Sequence, residues 1–169
     1  MDVLKEWHDF YLVVGTAAAT LIGAMFVVVS IGSSRMSEQQ ELGRRVYVTP
    51  TVMHLAVVLF TCALVFVPSL SAFGLGVLLG IGALGGLVYA GRNSFHISRR
   101  EGHWSDRLWY GVVPPLAYIT ALGGAASLLL ARPHAFDLLA AGLGILVASG
   151  IRNAWDLIIF FVVKPSEPD

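Results

Sequence analysis

Charge is what this chain has least of. Asp, Glu, Lys and Arg make up 13% of its 169 residues, against about 25% in an ordinary soluble domain, while 56% are hydrophobic and the mean hydropathy is +0.75. Such a composition excludes a soluble globular domain and points to a bilayer. Neither sign of charge is in excess, eleven basic residues against eleven acidic. With no basic surplus, nucleic acid is not an expected partner. A single cysteine, Cys62, excludes an intramolecular disulfide, and its apolar neighbourhood reads as that of a small buried residue. No Gly-rich loop leads into Lys-Ser/Thr, which excludes a phosphate loop. Ser, His and Asp residues lie scattered in polar breaks without a nucleophile and base at a defined spacing, so an enzyme is not expected.

What is present in abundance is apolar sequence of spanning length. About 20 apolar residues at 1.5 Å rise cross about 30 Å of hydrocarbon, and five stretches reach it. They fall at 10–32, 46–69, 72–95, 107–131 and 136–163, one leading helix followed by two helical hairpins. The breaks are Ser33 to Arg45, the Pro68-Ser69-Leu70-Ser71 turn, the charged loop Ser98 to Arg107, and Arg132-Pro133-His134. The expected fold is therefore an all-α integral membrane protein, residues 1–169 forming one transmembrane domain. Asp2, Glu6 and Asp9 outnumber Lys5 near the start, the wrong balance for the n-region of a signal peptide, so the first span is expected to remain.

Two of the eleven basic residues, Lys5 and Arg132, fall on the side of the N-terminus and the even-to-odd turns; the other nine fall on the opposite side. The positive-inside rule then puts the N-terminus outside and the C-terminus in the cytoplasm, in a plasma (inner) membrane. Trp7, Phe10, Tyr11, Phe73 and Phe136 are expected as an outer aromatic belt, and Tyr47, Trp104, Trp109 and Tyr110 as an inner one. Ser37-Glu38-Gln39-Gln40 has capping-box form and predicts a short interfacial helix before span 2. Ser105 or Asp106 is expected to cap span 4, rather than to serve as a catalytic partner of His103.

The hairpins echo one another. Arg92-Asn93-Ser94-Phe95-His96-Ile97 recurs 60 residues later as Arg152-Asn153-Ala154-Trp155-Asp156-Leu157, and Pro50 precedes His54 by four residues as Pro114 precedes Tyr118. Because each unit crosses twice, the repeat is parallel. Arg92 lies 19 residues, about 28 Å of helix, beyond Phe73, near the inner boundary, and equivalence places Arg152 there too. The apolar run from Leu157 to Val163 then reaches the inner interface, where it needs tilt, the interfacial helix or another subunit to cover it.

One polar constellation results at similar depth: His54, Arg92, Asn93, His96, Tyr118, Arg152, Asn153 and Asp156. Ionisable groups in spans are costly and mark functional sites by default, particularly where Arg152 and Asp156 can pair at i,i+4. Pro50, Pro114 and Pro115 free the carbonyls of residues 46, 110 and 111 in the same half. An ion or anionic headgroup could use these groups; alternatively the arginines snorkel and the asparagines bond between helices. Glycine and alanine at four-residue spacing, Gly15, Ala19 and Gly23, Gly82 and Gly86, and Gly144, read as helix-packing surfaces. Among five histidines only His54 and His96 match in depth, as a bis-histidine haem would require; no other cofactor and no metal is expected. The function these features suggest is an oligomeric channel or transport-type protein with an inner polar cluster. A non-catalytic scaffold or accessory subunit of a larger membrane complex is the alternative, and a membrane haem protein the third.

Overall fold

The computed structural model describes residues 6–33, 38–98 and 104–163, and every regular element among them is helical. Helix α1 spans His8–Ser33, α2 Glu38–Val65 and α3 Ala72–Ser98. A helical turn, Trp104–Asp106, opens a π-helical stretch, Arg107–Val112, which passes into α4, Val113–Leu129; α5 runs Ala135–Val163. Among the described residues, five segments are long and apolar enough to cross a membrane: His8–Ile31, Val48–Val65, Ala72–Ser98, Arg107–Leu129 and Ala135–Ile159.

Local sequence explains the ends. Helix α2 stops at Val65 and not at 69, because Phe66 and Val67 already bond back three residues, to Ala63 and Leu64, before Pro68. Ser71 caps α3, its Oγ accepting the Gly74 N–H at 3.1 Å. Past α4, Ala131 N–H reaches the Leu128 carbonyl at 3.2 Å and Arg132 N–H the Ser127 carbonyl at 2.8 Å. These are the two bonds of a Schellman end, and Ala131 takes the left-handed position with φ 49°.

Two expectations are corrected. Residues 38–47 do not form a separate short helix; they are the first turns of α2, which runs through Pro50 without a break. Ser37 lies outside the described residues. Ser105 and Asp106 lie within a helical turn rather than ahead of it, and α4 has Val112 as its N-cap with no side-chain cap bond. His103 is likewise outside the described residues.

Helix α5 is central, touching α1, α2 and α4, and its interface with α4 is the most extensive in the molecule. Next comes α3 against α4; α2 packs chiefly on α1 and only lightly on its hairpin partner α3. All five helices feed the main buried cluster, among them Tyr11 from α1, Leu55 and Val58 from α2, Ala90 from α3, Tyr118 from α4 and Leu143 from α5. Tyr11 is thus core and not belt: it is fully buried among Trp7, Phe10 and Phe136. Tyr110 is buried too, whereas Phe73 and Trp104 are exposed. Tyr47's side chain is outside the described set. At the opposite end Leu157 packs with Met25, Val48 and Ala154, so the start of the apolar run is covered by α1 and α2.

Candidate functional site

Proline chemistry builds the site. Pro114 and Pro115 stand in the first turn of α4, where a missing N–H is tolerated, and the turn they disrupt is the π-helical stretch just before them. Carbonyls released there are taken by hydroxyls from two other helices. Ser149 of α5 donates to the Trp109 carbonyl at 3.2 Å. Ser94 of α3 reaches the Ala90 carbonyl at 2.7 Å and also the Gly111 carbonyl. The sequence pointed to carbonyls 110 and 111; position 111 accepts a hydroxyl, and the wider π turn brings 109 into use as well.

Around this segment lies a polar seam between α2, α4 and α5. Asn153, 2% exposed, directs Nδ2 at Thr51 Oγ1 (3.4 Å) and Ser149 Oγ (3.5 Å), and the Tyr110 hydroxyl approaches the Asn153 carbonyl at 3.5 Å. Asn153 Oδ1 is buried with no donor among the described residues. One turn from Thr51 on α2, His54 is 3% exposed, and its Nδ1 lies 2.8 Å from the Tyr118 hydroxyl on α4, a bond either partner can donate. Tyr89 of α3 faces the same imidazole edge-on, with ring centroids 6.0 Å apart. The fit is close: a Cβ on Gly86 would fall 2.1 Å from the Tyr118 ring, and one on Gly150 2.7 Å from Leu55.

The eight-residue constellation therefore divides. His54, Tyr118 and Asn153 share the buried interior. Arg92 and His96 are exposed, His96 lying against Phe95, and Asn93 is half-buried. Arg152 and Asp156 form the expected ion pair on the flank of α5, with 37% and 31% of their side chains exposed. Helical periodicity explains the split, since Arg152 and Asn153 are neighbours in sequence but about 100° apart around the helix. Sequence reasoning missed Thr51, Ser149, Tyr89 and Tyr110; for Thr51 and Ser149 the available signal was their place three residues before His54 and four before Asn153. Among the described residues no three His, Cys, Asp or Glu side chains converge on a metal-sized site.

The glycine stripes divide as well. Gly15 and Gly86 make close approaches, to Cys62 and Tyr118, while Gly23, Gly82 and Gly144 have nothing within 4 Å of an added Cβ, and Ala19 is exposed. The closest backbone approaches occur elsewhere, where Gly124 meets the backbone of Ala135 and Leu139 and Gly142 that of Ala117 and Ala121.

No protein-family model, curated protein or solved structure matches the chain. The geometry alone carries the functional reading.

Proposed function

We propose that the chain is a five-span integral membrane protein of transport type, not an enzyme, whose working site is the buried seam around His54. The observation that carries this reading is an imidazole and a carboxamide, each almost fully buried, inside a bundle of helices long and apolar enough to span a bilayer. Polar groups at such depth are costly and are kept where a path or switch needs them. The repeat gives further support. His54 and Tyr118 stand at equivalent places after Pro50 and Pro114, and they bond each other, so the seam lies where the two hairpins meet; duplicated transporters hold their sites at that kind of junction.

The charge count orients the protein in a plasma membrane with its N-terminus outside. A cysteine replacing His134 should be labelled by an impermeant reagent from outside and one replacing Gly102 should not; the reverse pattern overturns the orientation. Function is tested with purified protein in liposomes, under gradients of protons, monovalent ions and small solutes. Flux above empty liposomes for any of them is expected.

A second reading, an accessory subunit of a larger complex, is favoured by one observation: Gly23, Gly82 and Gly144 lie in open space on outer helix faces, where they let another helix approach closely. A homo-oligomer uses the same faces. Absence of any flux, together with co-purification of a second protein at fixed stoichiometry, decides for the accessory reading.

A further inference from the structure

Resting on the transport reading, we propose that the species moved through the seam is the proton, with His54 as its carrier and Tyr118 as the relay partner.

Space is the first argument. The interior void beside Tyr118, walled by Thr61, Ala83, Leu143 and Leu146, has room for about 10 Å³, no more than one water occupies. A hydrated ion or an organic solute does not fit at that level. Widening the seam requires α3 to leave Tyr118 and α5 to leave Leu55, contacts so close at Gly86 and Gly150 that neither has room for one more carbon. A proton needs no lumen, because it travels by exchange between hydrogen-bonded groups.

Chemistry is the second. Thr51, Ser149, Asn153, Tyr110 and Tyr118 offer hydroxyls and an amide with no formal charge, a set that leaves a bare metal cation uncompensated in a low-dielectric interior. A proton instead forms a covalent N–H bond, and imidazole has two nitrogens, so it can accept on one and release from the other. The titratable groups in ring contact with His54 are Tyr118 from α4 and Tyr89 from α3. A proton taken from hydronium at Nε2 gives the imidazolium and a water; Nδ1–H then passes its proton to the Tyr118 oxygen as that hydroxyl gives its own to a second water, leaving hydronium there and a neutral imidazole protonated at Nε2. Each step forms one N–H or O–H bond and breaks another, with no electron transferred. Toward the π-helical end, one turn of α2 from His54, Thr51 Oγ1 lies 3.4 Å from Asn153 Nδ2, and Asn153 Oδ1 has no donor among the described residues.

The full-length protein is reconstituted in liposomes with an entrapped pH dye, and proton entry is driven by a valinomycin-set potassium potential. Wild type should acidify the lumen well above the empty-liposome rate. His54→Gln should fall to that rate. Tyr118→Phe, which keeps the ring covering Gly86 and so preserves packing if His54→Gln does not fold, should lower it by at least about tenfold, the loss of one positioned proton-transfer partner. Thr120→Val, removing an exposed α4 hydroxyl that bonds its own Leu116 carbonyl, should leave the rate unchanged. Equal proton entry in wild type and Tyr118→Phe overturns the relay. Sodium, potassium or chloride flux without proton flux overturns the proton assignment and leaves the transport reading standing, whereas no flux of any kind overturns both.

Discussion

The two hairpins carry echoing motifs and pack in opposite ways. In α4–α5 the helices meet backbone to backbone, Gly124 against Ala135 and Leu139, Gly142 against Ala117 and Ala121. In α2–α3 the consecutive helices barely touch; α3 turns to α4, and α2 to α1 and α5. On the proposed membrane-spanning reading, interhelical contact depends on how closely backbones approach, since burial of apolar surface gives no advantage over lipid. Glycines aimed at the partner decide that approach, and α2 has none between Val48 and Val65. An echoed motif thus need not produce an echoed interface.

The sharpest way to break this contrast is to fill the tight hairpin. Gly142→Val places carbon where an added Cβ already lies 2.8 Å from the Ala117 carbonyl, and should cost about 3 kcal/mol or more by overpacking, whereas Gly82→Val on the open face of α3 should change the monomer's stability by about 0.5 kcal/mol or less. Thermal melts in detergent compare the two; equal losses would refute the asymmetry. Gly86→Ala tests the seam where the first hairpin meets the second. Its methyl would sit within the Tyr118 ring, so the ring must move, at a cost of about 1–3 kcal/mol, with loss of the His54 bond visible in the imidazole NMR resonances.

The next smaller effect concerns the paired motifs. Asp156→Asn should cost less than the about 3–5 kcal/mol of breaking a fully buried ion pair, because about a third of each partner's side chain is exposed. Arg152→Gln combined with Asp156→Asn should recover part of the loss, and changing Arg92, whose i+4 position holds His96 where that of Arg152 holds Asp156, should alter the melt less than Asp156→Asn. A double change that melts no higher than Asp156→Asn removes the pair from the account. Smallest is Ala131→Gly in the α4–α5 turn: glycine adopts φ 49° without a Cβ clash, which should raise stability by about 0.5–1 kcal/mol in the same melts.

Hydropathy alone located the five apolar helices, since length and composition decide whether a segment can span a bilayer whatever its neighbours do. The Arg152–Asp156 pair was legible for a similar reason, being set by i,i+4 spacing on one helix. Sequence also marked His54 and Asn153 as unusual by their place in apolar runs. It could not tell which member of each polar doublet turns inward. Arg152 and Asn153 differ by one residue and about 100° of rotation, and which direction is interior depends on where α2 and α4 stand around α5. The same dependence hid Thr51, Ser149, Tyr89 and Tyr110, moved Tyr11 from belt to core, and decided which glycines are contacts. Only the tertiary structure settles such questions, because a side chain's partner across a helix interface is fixed by the relative rotation of two helices, and neither helix's own sequence encodes that angle.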